Sequence, residues 1–200
     1  MRKLLLIICS ILLISIITSC KNEQDPTNDN PDVISVQIDT TLKSFYPASG
    51  PGFEQIYTYN FTNVDCSFDI DIYWYDPAAS HGIYLHFNNN VGDVLLDANG
   101  FIKSFNSGIK IDSTLAGTWS GDSDDGIFSL DYVLFPAANK GNLAGLDDKY
   151  IVFRAFSDVL PHLKYYGWMR VSVSANGRDV RVISIGYQKN ANTSLRTGEL

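Results

Sequence analysis

Phe68-Asp69-Ile70-Asp71-Ile72-Tyr73-Trp74-Tyr75 constrains the fold of this chain more than any other segment. Successive side chains on a strand point to opposite faces. Phe68, Ile70, Ile72 and Trp74 then share one face, and Asp69, Asp71, Tyr73 and Tyr75 the other. A helix would scatter both sets around its circumference, so the run predicts a half-buried strand. Ile34 to Ile38 alternates in the same way, and Gln55 to Phe61 more loosely. Further strand-like runs span Ile83 to Phe87, Asp93 to Leu96, Phe101 to Phe105, Ile127 to Phe135, Tyr150 to Phe156, Tyr166 to Ser174 and Val180 to Tyr187. Asn99-Gly100 and Asn176-Gly177 put glycine where a tight hairpin needs positive φ. Asn88 to Asn90, Gly121 to Gly126 and Asn139 to Asn142 read as loops. No segment carries a sustained helical stripe, although Leu143 to Lys149 has room for one helical turn. Short strands at close spacing predict an all-β fold: an antiparallel β-sandwich, jelly-roll-like, with little helix. One such domain over 33–200 accounts for the chain, with no internal repeat.

The N-terminus follows a different rule. Arg2 and Lys3 precede an apolar run from Leu4 to Ile17, closed by Thr18-Ser19-Cys20. A helix crossing a bilayer needs roughly 20 apolar residues. This run is shorter, contains Ser10 and Ser15, and is followed by Lys21-Asn22-Glu23-Gln24-Asp25 rather than by a basic stop-transfer cluster. It reads as a signal peptide over 1–19. An ordinary secretory signal cut at Ser19 is the second reading, because Ser19 is small enough. Ile17-Thr18-Ser19-Cys20 resembles the lipobox of bacterial lipoproteins, and that resemblance implies acylation (palmitate among the chains) and cleavage at Cys20. The acids after Cys20 (Glu23, Asp25 and Asp29) loosely resemble the export signal of Bacteroidetes-type surface lipoproteins, with a plain solvated spacer as the equal alternative. Together the resemblances imply an outer-membrane lipoprotein anchored through the lipid on Cys20, on the periplasmic or the cell-surface side. One acyl chain binds a membrane only marginally, so the several chains of such a lipoprotein are what would give a lasting anchor. Residues 20–32 contain no large apolar residue and include Pro26 and Pro31, which predicts a disordered tether. Lys21 to Asp32 would reach ~40 Å when fully extended.

Composition narrows the partners. The 200 residues carry a formal charge of −7, which becomes −9 once Arg2 and Lys3 leave with the signal. An acidic surface repels phosphate backbones, so no nucleic-acid partner is expected. Cys9 would leave with the signal and Cys20 would be acylated, which makes Cys66 the one remaining internal thiol. Beside a strand-like run, it is expected to be buried and inert.

The C-terminal half carries a second resemblance. Lys149-Tyr150-Ile151-Val152-Phe153-Arg154-Ala155-Phe156 leads to Tyr165-Tyr166-Gly167-Trp168-Met169-Arg170-Val171-Ser172-Val173, then Ile185-Gly186-Tyr187, then Leu195-Arg196-Thr197-Gly198. These resemble the "YIGFRF", "YGW", "YAY" and "I-x-x-G" segments of a β-sandwich domain found in anchored or exported bacterial proteins of unassigned function. Gly108 to Asp112 and Trp119 resemble that domain's "G-x-x-I" and the tryptophan after it. Val152 stands where the pattern has glycine, and Gly186 where it has alanine. The resemblance implies a fold and an anchored setting but no activity. Tyr166 and Trp168 would share one strand face and build core, and Arg154 would pair with an acid across the sheet.

Candidate chemistry is sparse. Asp122, Asp124 and Asp125 lie between glycines, but their spacing is not that of a calcium loop. His81, His86 and His162 are too few and too badly spaced for zinc. Asp69 and Asp71 share their face with Tyr73 and Tyr75, which describes a solvated strand or a sugar-stacking surface, not two carboxylates flanking a substrate. No Gly-x-Ser-x-Gly elbow, P-loop or dinucleotide fingerprint occurs. Asp39-Thr40-Thr41 and Asp112-Ser113-Thr114 match a short O-glycosylation pattern that three residues also meet by chance. No catalytic, metal or cofactor residues are assigned. The leading expectation is a non-catalytic binding module in the envelope, taking polysaccharide, with Tyr73, Tyr75 and Trp119 as ligand contacts. A structural or assembly component of an envelope protein complex is the alternative, and a hydrolase ranks third.

Overall fold

The computed structural model describes residues 30–43, 55–62, 66–75, 80–87, 92–120, 126–132, 143–156, 163–175 and 179–200. The signal segment, Cys20, the tether up to residue 29, the Asp122–Asp125 cluster, His162 and the Asn176-Gly177 turn lie outside them. The described residues form strands and turns, with no helix. The strands are β1 (Val33–Lys43), β2 (Gln55–Asn60), β3 (Ser67–Tyr75), β4 (Ser80–Phe87), β5 (Gly92–Leu96), β6 (Ser104–Phe105) and β7 (Lys110–Ile111). They continue with β8 (Thr118–Trp119), β9 (Gly126–Tyr132), β10 (Lys149–Phe156), β11 (Lys164–Val173), β12 (Asp179–Gln188) and β13 (Leu195–Arg196).

A seven-stranded sheet runs β1-β12-β11-β10-β5-β8, with β6 also on β10, and a four-stranded sheet runs β2-β3-β4-β9. All pairings are antiparallel. The all-β expectation therefore holds, and two antiparallel sheets share one core. Their connectivity is more local than the two Greek keys of a jelly roll. β2-β3-β4 and β10-β11-β12 are each three consecutive strands paired as neighbours.

The facing sides are joined by rings. Tyr59, Phe61, Phe68, Ile70, Leu85 and Phe87 from the smaller sheet meet Phe153, Met169, Val171, Val182, Ile185 and Tyr187 from the larger. Phe61 stands edge-on to Tyr187 at 4.8 Å and lies 5.5 Å from Phe153, separations at which aromatic pairs attract beyond their buried area. The Tyr187 hydroxyl accepts the Thr62 N–H at 3.1 Å, so this buried ring keeps a partner for its polar atom. Cys66 is buried in the same core, as expected, and forms no disulfide.

β10 is a nearly continuous apolar run because the sheet is covered on both sides. Ile151, Phe153 and Ala155 face the inter-sheet core. Tyr150 and Val152 face a second cluster with Leu95, Ile111, Tyr166, Trp168 and Leu195. Tyr166 and Trp168 thus build core on one face, as the YGW segment predicts. The chain between Lys103 and Trp119, together with the C-terminal tail, forms the cover. Leu195 pairs with Ile111 and Arg196 with Lys110. The Gly108 N–H donates to the Thr197 carbonyl at 2.8 Å, and the Thr197 N–H donates to the Ile109 carbonyl at 2.9 Å. The two outlying segments of the family resemblance, Gly108 to Asp112 and Leu195 to Gly198, are therefore partners.

The turns follow local chemistry. Gly100 adopts φ 83°, and Asp97 Oδ1 accepts the N–H groups of Asn99 and Phe101. Leu143 to Lys149 forms a turn rather than a helical segment: Leu146 N–H donates to the Leu143 carbonyl, and Val173 N–H to that of Leu146. The end of the expected tether is ordered. Asn30 Nδ2 donates to Glu199 Oε1 at 2.9 Å, the Asn30 N–H bonds the Leu200 carbonyl, and the Lys189 N–H donates to the Asp32 carbonyl at 2.8 Å. Asn30 to Asp32 are thereby held against Lys189, Glu199 and Leu200.

Candidate functional site

The outer face of the seven-stranded sheet, turned away from the inter-sheet core, carries an open cleft of about 480 Å3. Lys110, Asp112, Ser113, Lys164, Tyr166, Asn192 and Ser194 line it. Three segments remote in sequence converge there because β7 pairs with β13 and because Lys164 and Asn192 hold each other. The Asn192 N–H donates to the Lys164 carbonyl at 2.7 Å, and the Lys164 N–H donates to Asn192 Oδ1 at 3.2 Å. Asn192 sits at φ 59°, a left-handed conformation that asparagine tolerates better than most side chains.

Asp112 is fully engaged. Its Oδ1 accepts the Thr114 N–H at 2.8 Å and hydroxyl at 2.6 Å, and its Oδ2 pairs with Lys110 Nζ at 2.8 Å. These contacts, the Lys110 ammonium first, hold its carboxyl well below the usual carboxylate range. Burial raises the Tyr166 hydroxyl above the usual phenol value, opposed by the Arg154 charge and reinforced by Asp112. Tyr166 is therefore a neutral hydroxyl at physiological pH.

Beside the cleft, Arg154 is held on three sides. Its Nε donates to Asp93 Oδ2 at 2.6 Å. Its guanidinium lies 4.5 Å from the Trp119 ring centre and 5.3 Å from that of Phe156. Asp93 and Arg154 are cross-strand neighbours on β5 and β10, which is the acid across the sheet that sequence reasoning expected.

Of the three expected ligand contacts, Trp119 lies on a strand of one sheet and Tyr73 and Tyr75 on a strand of the other. Trp119 is half-buried on β8, in the seven-stranded sheet, covering Arg154 and 6.4 Å from Tyr166. Tyr73 and Tyr75 belong to β3 of the other sheet, where their backbones pair with Gly82 and Ser80. Their side chains, with those of His81 and His86, lie outside the described residues. Comparison with protein-family models, curated proteins and solved structures finds no match to this chain.

Chemically, the cleft offers hydrogen bonds and charge. Among the described residues no His, Cys or Glu lines it, and the Asp112 carboxylate is committed. Among the described residues, no group of three or more His, Cys, Asp and Glu could hold a metal ion. Lys110, Lys164, Asn192 and Ser194 escaped sequence reasoning because each, read alone, is an ordinary solvated residue.

Proposed function

We propose that this chain is a lipid-anchored envelope protein whose β-sandwich is a non-catalytic binding module for polysaccharide. The observation that carries the reading is the outer-face cleft: open, lined by hydroxyl, amide and ammonium groups and the Asp112 carboxylate, with Trp119 packed against Tyr166. Such an assembly suits a hydroxylated ligand, and among its described residues no nucleophile is set beside a free base. The family resemblance agrees with an anchored module without assigned chemistry. The anchor rests on the lipobox, and Asn30 would be where the tether leaves the domain. The assembly reading keeps one supporting observation. β1 is the end strand of its sheet among the described residues, and end strands invite pairing. The bulge at Gln37–Thr40, with Asp39 at φ 52°, blunts that edge and ranks this reading second.

Two measurements test the proposal. Palmitate labelling of cells is expected to mark the wild-type chain and to be lost in Cys20→Ala; equal labelling of both removes the anchor. A glycan panel probed with residues 20–200 carrying Cys20→Ala is expected to give binding that Tyr166→Ala and Asn192→Gly weaken. A blank panel, with the protein retained instead by envelope protein extracts, favours the assembly role.

A further inference from the structure

We infer that the cleft selects acidic sugars, using Lys164 and Asn192 to hold a carboxylate on the polysaccharide; this rests on the binding reading above and names its ligand class. The carboxylate and amide acceptors are engaged: Asp112 takes Lys110 and Thr114, and Asn192 Oδ1 takes the Lys164 N–H. The donors are not. The Lys164 ammonium and the Asn192 amide N–H2 engage no partner among the described residues, and the Ser194 and Tyr166 hydroxyls can donate. A neutral sugar hydroxyl could bond here as donor or acceptor, because the Ser113, Ser194 and Tyr166 hydroxyl oxygens also accept, but it gains nothing from the Lys164 charge. A carboxylate only accepts.

Charge gives the same answer. Lys110 pairs with Asp112 and Arg154 with Asp93, whereas Lys164, among the described residues lining the cleft, has no ion-pair partner. Charge-assisted bonds are roughly twice as strong as neutral ones. The rest of the chain is acidic and repels anions at long range. Capture of an anionic glycan is therefore local and salt-sensitive.

The test uses calorimetry on residues 20–200 carrying Cys20→Ala. The probes are an oligogalacturonate, a neutral galactose oligomer of equal length, and vesicles containing an anionic phospholipid. The acidic oligomer is expected to bind about tenfold more tightly than the neutral one, with a gap that closes as salt rises. Lys164→Gln, which keeps the backbone bonds to Asn192, is expected to weaken acidic binding about fivefold. Asp112→Asn keeps the Thr114 contacts but releases the Lys110 charge, and is expected to strengthen acidic binding. Equal affinity for both oligomers overturns the acidic selectivity and leaves the binding module standing. Binding of neither overturns both. Preference for the vesicles over the oligogalacturonate assigns the anion to a lipid headgroup and overturns the sugar. Melting temperatures of the two variants near wild type keep these outcomes from being folding effects.

Discussion

Gly167→Ala is expected to lower the melting temperature by roughly 6–12 °C, from a loss of about 3 kcal/mol. Gly167 on β11 faces Phe153 on β10 as a direct cross-strand pair, and the Phe153 ring lies over the glycine. A Cβ there would stand closer than 3.0 Å to the ring, a separation real Cβ atoms essentially never show. The ring has little room to yield, because Phe61, Phe68 and Phe87 each lie within 6.0 Å of it. The same arrangement recurs on the opposite face one pair along. Trp168 opposes Gly186 and covers it, which explains why glycine stands where the family pattern has alanine. An aromatic ring over a facing glycine is a way of pinning register in a sheet. Gly100→Asn is the contrast, since φ is 83° with open space around a Cβ, and asparagine tolerates that conformation. It is expected to stay within about 0.5 kcal/mol of wild type. Adding Phe153→Leu to Gly167→Ala is expected to recover part of the loss, since the two residues share one space. A melting temperature for Gly167→Ala within 2–3 °C of wild type, about 1 kcal/mol, would mean the ring is not seated as described.

Arg154→Leu is expected to cost about 3 kcal/mol, read by denaturant unfolding. Asp93 is 2% exposed, so the substitution would strip the guanidinium from an almost wholly buried carboxylate. Removing one member of a buried pair leaves the other charge uncompensated, and that penalty exceeds the worth of the pair itself. Trp119 and Phe156 would also lose the cation between them. The double variant Asp93→Leu/Arg154→Leu is expected to be more stable than Arg154→Leu alone. If the second substitution adds its own full cost instead, the two side chains do not act as a pair.

The strands were legible because their chemistry is periodic. Phe68 to Tyr75 emerges as β3, and the Tyr150 to Phe156 run as β10. β7, β8 and β13 were not legible, because two residues carry no period; their pairing depends on Leu195 meeting Ile111 across the sequence. The partner of Arg154 was legible as an acid but not as Asp93, since only strand order brings β5 beside β10. Trp119 drew attention as an aromatic, yet its visible work is to cover Arg154. The cleft could not be read from sequence at all. Lys110, Lys164 and Asn192 are isolated polar residues until the tail and the β7 strap fold over the outer face.

Amide chemical-shift mapping during an oligogalacturonate titration tests most directly whether this cleft is the binding site. The expected result is a cluster of shifts at Lys110, Ser113, Lys164, Tyr166, Asn192 and Ser194. Shifts confined to Tyr73, Tyr75 and their β4 partners would contradict it and move the site to the four-stranded sheet.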